Sequence, residues 1–354
     1  MADYRWMAMV GKFEFPAKRV VFHGPRGVNL ERVPASAGGM EVTSTQGAKE
    51  EKSLPGLGVA LCNQQMVTGS VAASFEFEDL DPICVGHILL SYDPVSKAQL
   101  SAGLGWGPSM FSVVEWLPPI SLPEGASSGV GASGSSAAVA TPASGSWVVR
   151  ASSGDRGNLH PGTRYQVVVD VRGSSLNIDV DGIRVLSAVV PALSSHARQL
   201  GVFCFAKGDV TITDFSADVL RPQAFVVMQF SVPYNDVYSE VIKNVCDVLD
   251  VDAVRGDEIY GPGIIIKDVI DRISRSQVVI ADVSPSNPNV YFEVGYALAL
   301  GKPIILLAQR RGSDSPLPFD ISSFRVLFYD DSIGGKVRLE SGLRNHLREI
   351  LGRV

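Results

Sequence analysis

Apolar and polar residues alternate along the first two-thirds of the chain, and then the alternation gives way to a different rhythm. Before about residue 221, period-two runs recur at Ala73–Asp79, Gly86–Tyr92, Phe111–Trp116, Trp147–Arg150, Arg164–Arg172, Ser175–Val180 and Gly201–Phe205. A period of two is that of a strand with one buried face. Turn residues separate the runs. Asp181-Gly182, between Ser175–Val180 and Ile183–Leu186, is a strong hairpin signal. Many short strands with frequent turns predict an antiparallel sandwich over residues 1–221. Two stretches interrupt it. Ala35–Glu51 is small and polar, and Pro123–Ser146 is rich in Gly, Ser and Ala. The second buries too little apolar surface to offset its ordering entropy, so it reads as a mobile insertion that folding does not need.

From Arg221-Pro222-Gln223 onward, strand and helix patterns alternate. Ala224–Phe230 reads as a buried strand. Val237, Val241, Ile242, Val245 and Leu249 recur at helical spacing, which predicts a helix from about Asn235 to Leu249. Val251–Val254 is a short strand. Gly261-Pro262-Gly263 leads into a second helix with Ile265, Ile266, Val269, Ile270 and Ile273 inward. A loop over Ser313–Ser323, a strand over Arg325–Tyr329 and a helix over Val337–Leu351 close the chain. Residues 222–354 thus predict an α/β domain with a doubly wound parallel sheet, whose ligands bind at the carboxyl ends of the strands.

The stretch from Val278 to Leu307 organises this second half. Two branched apolar runs, Val278–Ala281 and Ile304–Leu307, have the length of buried strands. Between them Asn287 caps a helix with Pro288 at its first position, and Gly301-Lys302-Pro303 stops it. Val290, Glu293, Val294, Ala297 and Leu298 share one face. A lone carboxyl on an apolar face should have a raised pKa, and such groups concentrate at functional sites. A glutamate near a helix start is equally well explained by the helix dipole.

Composition narrows the partners. The 354 residues suit two domains, and 45% hydrophobic with 19% charged residues describes a globular chain. A net charge of −6 argues against a large nucleic-acid footprint. No apolar run reaches the length of a membrane span, and the first residues have no apolar signal core, so no membrane partner is expected. Cys62, Cys84, Cys204 and Cys246 lack metal-ligand or redox-pair spacing. Read as reduced thiols they point to the cytoplasm. The histidines are as dispersed, and no metal is expected.

The loops after the strands collect the candidate chemistry. Gln229, Phe230, Ser231 and Tyr234 follow the first strand. Arg255, Asp257, Glu258 and Tyr260 follow the second. Asp282, Ser284, Asn287 and Asn289 follow the third, with Glu293 just behind. Arginine suits a phosphate, amides and carboxylates suit ribose hydroxyls, and an aromatic face suits a base. A nucleotide is the small molecule this set fits. Each item also has a plain explanation: Arg255 can pair with Asp257 or Glu258, and Asp282 can cap a turn. No phosphate-binding loop or dinucleotide fingerprint is present.

Two resemblances add to this reading. Residues 163–220, TRYQVVVDVRGSSLNIDVDG through GVFCFAKGDVTITDFSADVL, resemble concanavalin A-like or laminin-G-like jelly rolls. The segments FVVMQFSVPYNDVY, IADVSPSNPNVYFEVGYALALGKP and PFDISSFRVLFYD together resemble TIR-like domains related to nucleoside 2-deoxyribosyltransferases, over nearly all of Ala224–Leu351. That resemblance makes Glu293 the position of the transferases' nucleophile, or of the essential glutamate of NAD-cleaving TIR domains. It implies NAD as substrate, with no cofactor, and a homo-oligomer. It also implies a sensing role for the first domain, with a protein or ligand trigger, as in bacterial antiviral systems. The transferases carry an aspartate six residues before the glutamate, where this chain has Asn287. A nucleoside or nucleotide deoxyribosyltransferase or hydrolase is the alternative enzyme, and a non-catalytic module that binds a nucleotide signal is the third reading.

Overall fold

The computed structural model describes residues 4–25, 55–80, 83–119, 145–190, 198–258, 265–310 and 324–352. Ala35–Glu51, Tyr260, Gly261-Pro262-Gly263 and Ser313–Ser323 lie outside them, as does Pro123–Ser146 apart from its last two residues. The first half contains strands β1 (Trp6–Val10), β2 (Lys12–Glu14), β3 (Arg19–His23), β4 (Gly56–Met66), β5 (Gly69–Phe77), β6 (Cys84–Tyr92) and β7 (Gln99–Trp106). It continues with β8 (Ser109–Leu117), β9 (Ser146–Asp155), β10 (Arg164–Arg172), β11 (Ser175–Val180), β12 (Ile183–Val189), β13 (Arg198–Ala206) and β14 (Val210–Val219). They form two seven-stranded antiparallel sheets, ordered β1-β4-β13-β6-β7-β8-β9 and β12-β11-β10-β5-β14-β3-β2. The expected sandwich is therefore present. Between the sheets lies one apolar core with Phe22, Phe75, Phe77, Ile88, Leu104, Leu176, Ile178 and Ile212 almost fully buried.

In β4, alternation is weak because Val59 and Leu61 face one way while Ala60 and Cys62 face the other. The first sheet is apolar on both faces. Its outer face carries a second cluster of Val59, Val85, Leu89, Tyr92 and Phe203, with Trp106 and Trp147 packed against it. A strand buried on both sides has no polar face to show. Within this layer His87 is fully buried. Its Nε2 faces the Gly105 carbonyl at 3.0 Å and its Nδ1 faces Ser101 Oγ at 3.1 Å. A carbonyl only accepts, so Nε2 carries the proton of the neutral ring and Ser101 donates to Nδ1. Burial lowers the pKa of His87 to about 4 from 6.5. Below 6.5 the unfolded chain takes up a proton that the folded ring refuses, so stability falls as pH falls toward 4. The sandwich should lose about 2 kcal/mol between pH 7 and about pH 5 from this group. Urea unfolding followed by tryptophan emission checks it, and His87→Gln should remove most of that slope.

β14 passes through Leu220, Arg221 and Pro222 into β15 (Gln223–Val227), the first strand of the second half. Arg221 bonds Asp250 at 2.8 Å and Asp252 at 3.2 Å, which ties the connection to the second domain. The remaining strands are β16 (Asp252–Arg255), β17 (Val278–Asp282), β18 (Ile304–Gln309) and β19 (Val326–Tyr329). All pairings are parallel, in the order β16-β15-β17-β18-β19. Helix α1 combines Tyr234–Val237, a π-helical stretch Tyr238–Ile242, and Lys243–Val248. The others are α2 (Ile265–Arg275), α3 (Pro288–Ala299) and α4 (Ile333–Leu351). α1 and α4 cover one sheet face through Ile242, Val245, Leu343 and Leu347. α2 and α3 cover the other through Val269, Ile273, Val290, Val294 and Ala297. This is the doubly wound sheet the sequence predicted.

Three local expectations are corrected. β15 ends at Val227, so Gln229 and Phe230 leave the sheet earlier than Ala224–Phe230 implied. Ile266 is 46% exposed and Leu298 41% exposed, so neither faces the core. These two helices turn only part of their apolar residues to the sheet.

Candidate functional site

The strand order reverses between β15 and β17, where the chain winds off to opposite faces of the sheet. In doubly wound sheets the crevice that takes ligands lies at such a switch point, outside the carboxyl ends of the strands. Gln229 follows β15 and Asn287 precedes α3. Asn287 Nδ2 donates to Gln229 Oε1 at 2.7 Å, so the two amides bridge the crevice. Asn287 also caps α3 as expected, its side-chain oxygen accepting from Asn289 N at 2.9 Å. Asn289 is exposed in the first turn.

Glu293 lies in the second turn of α3, half-buried. Its neighbours on the helix, Val290, Val294 and Ala297, are core residues, and Tyr291 and Tyr296 pack against the same core. Burial alone pushes its carboxyl up to about 7 from 4.5. A carboxyl so placed is poised between its protonated and ionised forms near neutral pH.

Arg255 is tied up. It is 8% exposed, and its Nε and Nη2 donate to Asp257 at 2.7 and 2.6 Å. Its Nη1 donates to Asn235 Oδ1 at 2.8 Å. The guanidinium sits over the Tyr238 ring at 4.4 Å and over the Phe230 ring at 5.2 Å. Tyr238 OH in turn donates to Glu258 at 2.7 Å. To meet a phosphate, Arg255 would have to turn from Asp257. Phe230 is 51% exposed and presents its ring at the mouth of this cluster.

Asp282 is fully buried at the end of β17. Its Oδ1 accepts from Ser284 N at 2.9 Å and its Oδ2 from Tyr329 OH. Ser284 Oγ accepts from Gln309 N at 2.8 Å. These contacts pin the ends of β17, β18 and β19 together beneath the crevice. Gln229, Asn287 and Ser284 are thus brought to one edge with Asp282 below them, and Arg255 and Asp257 form a separate aromatic-walled cluster with Phe230. Sequence reading missed Asn235, Tyr238 and Tyr329. Tyr329 ends the last strand at the carboxyl edge, and Tyr238 lies one helical turn beyond Tyr234, so both positions carried a usable signal. Among the described residues, no three His, Cys, Asp or Glu gather as a metal site, and no helix is long and apolar enough to cross a membrane. The four cysteines are buried thiols.

No model of a known protein family matches the chain, and no curated protein does. Solved structures similar to it include a carbohydrate-binding module from Bacillus subtilis, at 9% identity and a TM-score of 0.39 over 60% of this chain and 94% of that one. Another is a CMP N-glycosidase from Clostridium botulinum, at 18% identity and a TM-score of 0.25 over 34% of this chain and 98% of that one. A signal receiver domain from Vibrio parahaemolyticus matches at 18% identity and a TM-score of 0.25, over 37% and 93%. The likeness in each case is one of fold alone.

Proposed function

We propose that the α/β domain cleaves an N-glycosidic bond of a nucleotide, with NAD the leading substrate. The observation that carries this reading is Glu293: a half-buried carboxyl with a pKa near neutrality, behind the switch-point crevice. The resemblance to TIR-like domains gives the same residue the same place. In the ionised form Glu293 stabilises the positive charge that develops on the ribose ring as the C1′–N bond breaks, much as carboxylates do in glycoside hydrolysis. The bonding pair leaves with nicotinamide, which is neutral once released. Water then adds to C1′, and its proton passes to the carboxylate and on to solvent. The amides of Gln229 and Asn287 would serve the ribose hydroxyls, and the exposed ring of Phe230 would offer a stacking face. Incubation with NAD, nucleosides and deoxynucleotides, followed by mass detection of released base, tests the proposal. Base exchange that depends on a deoxynucleoside would instead single out a deoxyribosyltransferase.

A second reading has its own support. Arg255 and Asp282 spend their bonds on the protein itself. A domain that binds a nucleotide signal without cleaving it needs no freer groups than these. Nucleotide binding without base release would favour it. The sandwich then serves as the sensing half in either case, and an antiviral effector controlled by it is the setting the two-domain layout suits. Self-association through the α/β domain is part of the proposal. Turnover per chain should rise with protein concentration, and full turnover by a preparation that light scattering shows to be monomeric would refute this part.

A further inference from the structure

The two halves meet at a specific joint. The turn between β10 and β11 consists of Gly173 and Ser174, and it reaches the carboxyl end of α2. Ser174 N donates to the Ser274 carbonyl at 2.9 Å. Gly173 has φ +56°, and a Cβ there would fall 2.3 Å from Ser276 O and 2.6 Å from Ser274 O. Only glycine allows so close an approach of two backbones. From the other side comes Lys302, 7% exposed, whose Nζ donates to Ser274 O at 2.7 Å and Ser276 O at 2.6 Å. The end of a helix leaves carbonyls without partners, and a cation there is favoured by the dipole. Here one carbonyl, that of Ser274, accepts a hydrogen bond from each domain.

Lys302 is also rigidly attached to α3. Its N–H bonds Ala297 O at 3.0 Å and Gly301 N bonds Leu298 O at 2.9 Å, with Gly301 at φ +64°. These are the paired bonds of a Schellman cap. The side chain that grips the joint thus belongs to the carboxyl-terminal cap of the helix that carries Glu293. We propose that the Gly173–Ser174 turn and Lys302 form a coupling joint through which the sandwich fixes the position of α3. A ligand that shifts this hairpin would then reposition Glu293 from a distance. That last step rests on the proposed role of Glu293. The joint does not, and it is tested without substrate.

The chain supplies two separate probes. All four tryptophans, Trp6, Trp106, Trp116 and Trp147, belong to the sandwich, and the α-helices among the described residues belong to the second domain. Tryptophan emission therefore reports one half, and helical far-UV ellipticity the other. In thermal unfolding of the full chain the two signals should change together, as one cooperative unit. Gly173→Asn tolerates the positive φ but keeps the colliding Cβ. Lys302→Met keeps most of the length and removes the Nζ donor to both carbonyls. Each should pull the two midpoints apart by about 5 °C or more. Gly182→Asn is the control, at φ +80° with nothing within 4 Å of a Cβ, and should leave them together. If Gly173→Asn does not fold, Lys302→Met decides. Midpoints that stay coincident in the joint variants, that already differ in the natural protein, or that separate equally in Gly182→Asn overturn the proposal.

Discussion

Glu293→Gln should lower turnover of the proposed nucleotide substrate by about 10²- to 10⁴-fold and leave its binding nearly unchanged. Glutamine keeps the shape and part of the hydrogen bonding but removes the charge. In the proposed role, the carboxylate's attraction to the ribose ring would grow only as the ring becomes an oxocarbenium ion, so the loss should fall on kcat rather than KM. One preorganised charge is worth about 3–5 kcal/mol of barrier in such a setting. The same substitution has a second signature. The pKa of Glu293 in the fold, about 7, lies above the ordinary 4.5. Between these values the folded protein holds a proton that the unfolded chain has released. The stabilising effect of that proton is full below 4.5 and lost as pH rises through 7. Glu293→Gln should therefore match the natural protein in stability near pH 4.5 and exceed it by about 1–2 kcal/mol at pH 8, after allowance for partial exposure. Activity of the natural protein should climb through pH 7 to a plateau, because the ionised form is the competent one. A variant that melts earlier at pH 8 and turns over normally would take Glu293 out of the site.

Asp282→Ala is the largest expected loss of stability at the site edge. The carboxylate is fully buried and accepts from Ser284 N and Tyr329 OH. Truncation leaves both donors buried without this acceptor, at a cost of about 2–4 kcal/mol. The urea midpoint of the helical signal should fall with its slope unchanged. Tyr329→Phe should cost less, because it removes one donor and leaves the other bond intact. Asp282→Asn, which retains an acceptor oxygen, should fall between. Equal stability of Asp282→Ala and the natural protein would show that the carboxylate does not hold the three strand ends together.

What the sequence made legible was local. Asn287-Pro288 announced the start of α3 because cap and first turn are neighbours in the chain. Ser175–Val180, Asp181-Gly182 and Ile183 onward announced a hairpin for the same reason. Glu293 stood out because it interrupts an apolar helix. What remained hidden depends on distance. β4 lost its alternation because a second apolar layer, with Val59 in it, covers the outer face of the first sheet. The pairing of Arg255 with Asp257 was open to the sequence, but Asn235, 20 residues away, also holds it and was not. Lys302 read as part of a helix stop, and its side chain became meaningful only once α2 and the sandwich turn were placed against it.

The parallel sheet has a direction, and the joint fixes what it points away from. The carboxyl end of α2, Lys302 and the first residue of β15 all lie at the amino-terminal edge of the strands, beside the sandwich. The crevice lies at the other edge, roughly 15 Å further on for strands of this length. A molecule bound to the sandwich beside the joint is therefore kept off the crevice by the length of the strands. A chain immobilised through its first domain, on a particle or on a larger assembly, would display the crevice outward and leave it open to solvent.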